Sequence, residues 1–300
     1  MIRAALALLP LLAVPAAAQE AQIAFGTGVL GLHADEIVYE GGKRISHLVW
    51  TTSAAPLLTA GLEVRWPEGW RLDVDGSFAV SGVSFMADYD WLGAVQPAAG
   101  FEDWTDRSLH PDTRLDFYAS GRAAIGHGLV TAGPVEIGAA LGGRYSAVRW
   151  TAWGGSYNYD SGADVGSFDP GARIISYEQR MPVGFVRLDA SAGSGALRLD
   201  GSAELGLAIG PSDIDDHWLR GLRFYDRYGL TPVLRLAADA SYAVSDRLTL
   251  TAGASLEHLF TVRGDTLMVD RTTGESVLLP DGAAMSFSAL TLRAGAIGRF

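Results

Sequence analysis

Apolar and polar residues alternate along most of the chain, and this alternation predicts long β-strands. Near the C-terminus, Leu290, Leu292 and Phe300 share one face, whereas Arg293 and Arg299 lie on the other. A period of two is the spacing of side chains on one face of a strand. The same alternation recurs over three further stretches, 72–80, 197–207 and 248–257.

Turn signals between these stretches divide the chain into about ten strands, several of them longer than the roughly 5–6 residues usual in soluble proteins. The predicted strands are 21–39, 44–66, 70–83, 113–126, 133–155, 171–191, 196–212, 222–244, 247–263 and 284–300. Tight turns such as Pro67–Gly69 alternate with longer polar connections. The predicted long loops are 84–112, 156–170, 213–221 and 264–283.

The N-terminus has the features of a secretory signal peptide. Arg3 precedes an uncharged apolar run over 4–14, and Ala16–Ala18 supply the small residues that precede a cleavage site. We therefore expect residues 1–18 to be removed and residues 19–300 to form a single domain.

Alternation alone fits either a soluble β-sandwich or a transmembrane barrel, because the two differ only in which face meets water. The export signal, the strand lengths and the terminal Phe300 favour the barrel. We predict an all-β fold, a ten-stranded antiparallel transmembrane β-barrel in the outer membrane. The long loops would then gather on one rim and face the exterior.

Charge and cysteine content exclude several functions. The net charge is -11, and it becomes -12 once Arg3 is lost with the signal peptide. Nucleic acid is therefore not an expected partner, because binding it requires a basic face. The chain has no cysteine, so it has neither a disulfide framework nor a thiol nucleophile.

Two short acidic motifs lie within the predicted long loops. Asp88 and Asp90 are two residues apart, so on an extended backbone they share a face. Two carboxylates this close raise the pKa of one of them, and the pair can hold or pass a proton. An ordinary acidic loop or a cation site would have the same spacing.

Asp215 and His217 form the second motif, again on one face. A carboxylate beside an imidazole orients the ring and stabilises its protonated form, as a general base requires. A solvated histidine at the rim is the simpler alternative. No second histidine stands at metal-ligand spacing, so no metal is predicted, and no Gly-x-Ser-x-Gly motif supports a serine lipase.

Taken together and in order, these motifs resemble those of the omptin outer-membrane proteases. The matching stretches are Met86–Trp91, Trp104–Asp106, His110–Thr113, Asp215–His217, Glu36–Tyr39, Glu40–Arg44, Gly154–Tyr157, Gly166–Phe168 and Tyr177–Arg180. The resemblance covers nearly the whole mature chain. It implies a ten-stranded barrel that extends above the membrane and an endopeptidase that cuts beside or between basic residues.

The resemblance also implies roles for the two motifs. Asp215 and His217 would activate a water molecule, with His217 as the general base. Asp88 and Asp90 would position that water and stabilise the oxyanion. Neither a metal nor a covalent acyl-enzyme is implied.

Substrate residues follow from the same resemblance. Glu36 and Asp213 match an acidic pocket for the basic side chain before the cleaved bond, and Asp106 matches an acidic position after it. A pair of carboxylates favours arginine, whose planar guanidinium can be bound by two hydrogen bonds. Solubility of an outer loop is the alternative explanation for each of these acids.

The resemblance implies a lipid partner as well, because omptins need lipopolysaccharide for activity. The phosphate-contacting positions match Tyr145, Arg149 and Arg180. Two positions depart from the family pattern: Ala147 replaces an acidic residue, and no lysine is found near Gly229. Apart from lipopolysaccharide no cofactor is implied, and we expect a monomer.

A non-catalytic barrel, such as an adhesin, an invasin or a small pore, is the alternative from another functional class. The joint presence of both motifs argues against an inactive scaffold. A lumen of ten strands is narrow, and we expect inward Arg, Asp and Glu side chains to plug it by pairing.

Overall fold

The structure, a computed structural model, describes residues 20–93 and 101–300. The predicted signal peptide, residues 1–18, lies outside these described residues. Within them, no helix is both long enough and apolar enough to cross a membrane. Their regular structure is β-strand apart from a single 3-10 turn, Asp160–Gly162. The predicted all-β class is therefore confirmed.

The strands vary from 4 to 27 residues in length. In chain order they are β1 (Glu20–Glu40), β2 (Lys43–Arg65), β3 (Trp70–Ala79), β4 (Val83–Asp90), β5 (Asp106–Ala132), β6 (Val135–Trp153), β7 (Ser156–Tyr159), β8 (Asp164–Ser167), β9 (Arg173–Ser194), β10 (Leu197–Ala208), β11 (Ser212–His217), β12 (Leu222–Tyr228), β13 (Thr231–Ala243), β14 (Leu248–Asp270) and β15 (Ser276–Arg299).

The sheet closes on itself, since β1 pairs with β2 along one edge and with β15 along the other. Three positions of the ring hold an interrupted strand. Both β3 and β4 pair with β2 and β5, both β10 and β11 pair with β9, and both β12 and β13 pair with β14. With each interrupted pair counted once, and with the β7–β8 hairpin left out because it pairs only with β5, the antiparallel ring has ten strands, as predicted.

The strands continue well beyond the membrane. A transmembrane β-strand needs about 9–11 residues, whereas β5 has 27 and β15 has 24. Strands therefore occupy much of the predicted loops. All but the first residue of β4 lies within 84–112, the β7–β8 hairpin lies within 156–170, and all but the first residue of β11 lies within 213–221. The loop predictions were wrong there because strands above the lipid need no apolar outer face, so the alternation weakens.

Exposed apolar side chains form the outer surface of the lower barrel. They include Phe25, Leu58, Leu141, Leu188, Leu205 and Leu292. Removing such a surface from water is favourable, and a lipid bilayer supplies the matching environment. The closed ring leaves no strand edge facing that lipid, so backbone groups are satisfied within the sheet.

Charged side chains fill the lumen at the same level. Arg144 lies 2.9 Å from Glu204 and 3.0 Å from Glu257, and Arg187 lies 2.9 Å from Asp189. All but Asp189 are nearly inaccessible to solvent. The predicted plug of paired charges is confirmed, which argues against an open general pore.

A layer of aromatic side chains closes the barrel above this network. Trp50 stacks on Trp150 with ring centroids 6.1 Å apart and on Tyr177 at 5.7 Å, and all three are fully buried. Along β2, Leu48 lines a cavity on one side of Trp50 and Leu57 lines the lumen on the other. The aromatic layer is thus the floor of that outer cavity.

Candidate active site

The outer cavity lies above the aromatic floor, at the end of the barrel opposite Gln22 and Arg299, where β1 begins and β15 ends. Its volume is about 560 Å³. The acidic and basic side chains in its walls include Glu36, Asp88, Asp90, Asp215, His217 and Asp226. The two motifs predicted to act together, more than a hundred residues apart in the chain, therefore share one cavity.

Asp88 and Asp90 lie on β4, which is held between β2 and β5. Strand alternation turns both carboxyl groups toward the cavity. Ser46 Oγ donates a hydrogen bond to Asp88 Oδ1 at 3.2 Å. Burial raises the pKa of Asp88 well above its usual range, and the neighbouring charge of Asp90 adds to this shift. Burial raises the pKa of Asp90 as well. The pair therefore binds a proton more readily than two solvated carboxylates.

Asp215 and His217 lie on β11, between β9 and β12. Asp215 Oδ2 is 2.6 Å from His217 Nε2, and the carboxyl group is almost fully buried. The His217 ring meets Phe224 edge to face with centroids 5.4 Å apart, which restricts ring rotation. Asp216, on the opposite face, is bound by Arg223 instead. The predicted shared face of Asp215 and His217 is confirmed, on a strand rather than a loop.

Two of the acidic residues predicted to bind the substrate lie at different depths relative to the cavity wall. Glu36 lines the outer cavity, and Trp50 Nε1 donates to its Oε2 at 3.3 Å. Asp213 does not contribute to the cavity wall that the described residues form. Its Oδ2 accepts hydrogen bonds from the hydroxyls of Tyr177 at 2.8 Å and Tyr228 at 2.7 Å. Asp213 therefore lies behind the wall, held by two tyrosines.

A third acid of this pocket, Asp226, was missed by sequence reasoning. It lies on β12 directly opposite Asp213, and it lines the outer cavity. Burial raises the pKa of Asp226 to about 6. Burial together with the charges of Asp215 and Asp213 raises the pKa of Glu36 well above its usual range. The only signal in the sequence was an acidic residue inside a predicted strand, between Phe224 and Tyr228.

Asp106, the acid predicted on the other side of the cleaved bond, begins β5 and also lines the cavity. Its Oδ2 accepts a hydrogen bond from Thr105 Oγ1 at 2.6 Å, and its Oδ1 accepts one from the backbone N–H of Asp160 at 3.1 Å. Both oxygens are already engaged by the chain, so Asp106 is fixed in place.

Tyr159 and Arg220 are two further wall residues that were not predicted. Burial raises the pKa of Tyr159 to about 12, with smaller contributions from the charges of Asp88 and Asp90. Tyr159 therefore stays protonated and is a hydrogen-bond donor beside the acidic pair. Its position follows from the β7–β8 hairpin, which the sequence presented only as a loop.

The three predicted lipid contacts lie together on the outer wall. Tyr145 and Arg149 are on β6, and Arg180 is opposite Ala147 on β9, so all three share one face. Glu178 on the same face lies 3.3 Å from Arg149 and 2.6 Å from Arg180. Glu178 thus supplies an acidic side chain at this patch, although position 147 holds alanine.

Within the described residues, no group of three or more His, Cys, Asp or Glu side chains has a geometry suited to holding a metal ion. The outer cavity brings together two pairs, a carboxylate with an imidazole and a carboxylate with a carboxyl group, beside an acidic pocket.

Comparison with known proteins identifies the origin of this arrangement. The family model described as the Omptin family matches residues 17–300. The chain belongs to the omptin family. The resemblance found in the motifs is confirmed, and membership supports a protease function at the outer membrane.

Several relatives carry names that agree with this class. The plasminogen activator of Yersinia pestis is 27% identical over 284 residues, which cover 93% of this chain and 89% of the relative. Protease 7 of Escherichia coli K12 is 27% identical over 274 residues, covering 86% and 83% of the two chains.

The fold has a close counterpart among solved structures. The outer membrane protease OmpT from Escherichia coli matches with a TM-score of 0.87, covering 94% of this chain and 97% of that one, at 24% sequence identity. At this identity the likeness concerns the fold. It supports the outer-membrane β-barrel described above.

Proposed function

We propose that the protein is an endopeptidase that cleaves peptides and proteins at basic sites, including dibasic ones, by attack of an activated water molecule. The observation that carries the proposal is the convergence of two pairs, Asp88 with Asp90 and Asp215 with His217, on one cavity beside buried acids. Omptin membership supports the reaction class.

His217 is the general base in this proposal. The carboxylate of Asp215, 2.6 Å from Nε2, accepts a hydrogen bond from that nitrogen and leaves Nδ1 free of its proton. The Nδ1 lone pair can then take a proton from water, and the nearby negative charge stabilises the imidazolium that forms. Proton transfer of this kind contributes roughly 100- to 10,000-fold to a rate.

Asp88 and Asp90 complete the site from the opposite wall. Since burial raises the pKa of each, one carboxyl group of the pair retains its proton, while the other is ionised and accepts hydrogen bonds. The ionised member orients the attacking water, and the protonated member donates to the oxyanion of the tetrahedral intermediate. After attack, the imidazolium of His217 returns its proton to the leaving amine, which balances the hydrolysis.

The acidic pocket selects the residue before the cleaved bond. Glu36 lines the cavity near Asp215, and Asp213 lies behind the wall. Burial raises the pKa of both, and a cationic side chain entering there would favour their ionised forms. Arginine suits this pocket better than lysine because its guanidinium can form paired hydrogen bonds. Asp106, on the far side of the acidic pair, would attract a basic residue after the bond.

Lipopolysaccharide is the proposed partner on the outer wall, and activity is proposed to need it. Arg149 and Arg180 present guanidinium groups beside the exposed Tyr145, and guanidinium geometry matches phosphate oxygens. Glu178 pairs with both arginines and holds them on one face. The protein is proposed to act as a monomer.

The test is peptide hydrolysis by the refolded barrel with lipopolysaccharide present. A quenched fluorescent peptide containing Arg-Arg is expected to be cut between or beside the two arginines, as read by mass spectrometry. His217→Ala should remove this cleavage. His127→Ala should retain it, because His127 lies edge to face against Trp70 at the opposite end of the barrel. No cleavage by the wild-type protein, or full cleavage by His217→Ala, would overturn the proposal.

A further inference from the structure

The acidic pocket contains one carboxylate more than sequence reasoning assigned to it. Asp226 faces Asp213 across neighbouring strands, and strand alternation turns both side chains into the barrel. Tyr228 Oη lies 2.7 Å from Asp213 Oδ2 and 3.4 Å from Asp226 Oδ2, so the two carboxyl groups meet at one tyrosine hydroxyl.

The two acids differ in what they present to the cavity. Asp213 Oδ2 receives both Tyr177 and Tyr228, and the side chain is held behind the wall. Asp226 is part of the wall, beside Glu36 and Asp215. Oδ1 of both Asp213 and Asp226 is buried and has no hydrogen-bond partner among the described residues, but only Asp226 lines the cavity.

A buried carboxylate oxygen without a partner costs free energy, because it has lost its water without gaining a donor. A cationic donor entering the cavity removes this cost. Asp226 is only 4% exposed, so water cannot fully replace such a donor. A basic substrate side chain that enters the outer cavity would supply such a donor to Asp226.

We propose that Asp226, together with Glu36, directly binds the basic side chain that precedes the cleaved bond, and that Asp213 supports the pocket from behind. Asp226 is therefore a residue that determines specificity. This inference rests on the proposed function and names the acid that contacts the substrate.

The charge state of Asp226 supports this assignment. Burial raises its pKa to about 6, so the carboxyl group is ionised at neutral pH. Burial raises the pKa of Asp213 and that of Glu36 as well. Asp226 lines the cavity with an unpartnered carboxylate oxygen, which an arriving guanidinium can meet.

The experiment compares two peptides that differ only in charge, one with arginine before the cleaved bond and one with citrulline, its neutral counterpart of nearly equal shape. The ratio of kcat/KM for arginine to that for citrulline measures charge recognition. Asp226→Asn is expected to lower the ratio roughly 30-fold, as lost hydrogen bonds to a charged group imply. Cleavage of the citrulline peptide should change less than about threefold, because the hydrolytic machinery is intact.

Two further variants complete the design. Asp112→Asn alters a surface acid paired with Arg114 and should keep the wild-type ratio. Asp226→Ser, with a smaller neutral side chain, should lower the ratio as Asp226→Asn does, and it serves if the asparagine variant refolds poorly.

The outcomes separate the inference from the function on which it rests. A wild-type protein that cuts neither peptide overturns the proposed function and this inference with it. A wild-type protein that prefers arginine, alongside Asp226 variants with an unchanged ratio, overturns the inference alone.

Discussion

Removing the Asp226 carboxylate is expected to stabilise the empty protein at neutral pH. The side chain is 4% exposed and faces other acids, and burial raises its pKa from 3.8 to about 6. Each pKa unit corresponds to about 1.4 kcal/mol, so the shift amounts to about 3 kcal/mol of destabilisation once the group is ionised. Asparagine has nearly the same shape and cannot ionise.

The direction of this pH effect on stability follows from proton binding to Asp226. Between about pH 4 and pH 6 the folded state binds more protons at Asp226 than the unfolded state, so this group makes stability fall as the pH rises through that window. Below it, wild-type and Asp226→Asn proteins should be equally stable. Above it, the variant should be more stable by about 3 kcal/mol.

Denaturant unfolding in detergent micelles, followed by the fluorescence of the 8 tryptophans, measures this difference at pH 4, 6 and 8. Asp112→Asn should show no such pH-dependent gain, because its carboxylate is half exposed and paired with Arg114. Parallel curves for the wild-type and Asp226→Asn proteins across the whole range would refute the reasoning.

Three further outcomes are expected. As the pH falls below about 6, Asp226 gains its proton and the preference for arginine over citrulline, measured as a ratio of kcat/KM, should decline in the wild-type protein. Asp88→Asn and Asp90→Asn should each lower kcat by roughly 100-fold or more with little change in KM, since they act on the attacking water and the oxyanion. Replacing Arg149 and Arg180 together by alanine should raise the lipopolysaccharide concentration needed for half-maximal activity by roughly tenfold, as loss of charged phosphate contacts implies.

Each of these outcomes has a contrary result. The arginine preference would persist to pH 5 if Asp226 did not carry the recognised charge. Unchanged turnover in the Asp88 or Asp90 variant would remove that residue from the hydrolytic machinery. An unaltered lipopolysaccharide requirement in the double arginine variant would place the lipid contact elsewhere on the barrel, and Arg114→Ala is the matched control on the same outer wall.

Much of the barrel was predictable from alternation. The β15 pattern ending at Phe300 and the long strand near the N-terminus both follow from lipid on one face and a charged lumen on the other. This physical contrast exists only at membrane depth. Above the membrane both faces meet water or protein, so the alternation of apolar and polar residues is weak in β4 and β11. These two strands were therefore predicted as loops.

The site was predictable where the relevant spacing is local. Asp215 and His217 are two apart, and any extended backbone places them on one face. Asp226 was not predictable, because its relation to Asp213 depends on the register that the β11–β12 hairpin sets. The tyrosine contacts that hold Asp213 behind the wall depend on β9 as well, and no local pattern encodes them.

Asp215 and His217 are proposed to activate water for peptide hydrolysis in this cavity. The most direct measurement is cleavage of an Arg-Arg peptide by the refolded barrel with lipopolysaccharide, compared between wild-type, His217→Ala and His127→Ala proteins. We expect cleavage by the wild-type and His127→Ala proteins and a loss of roughly 100-fold or more in kcat for His217→Ala. Equal cleavage by all three proteins would contradict the account.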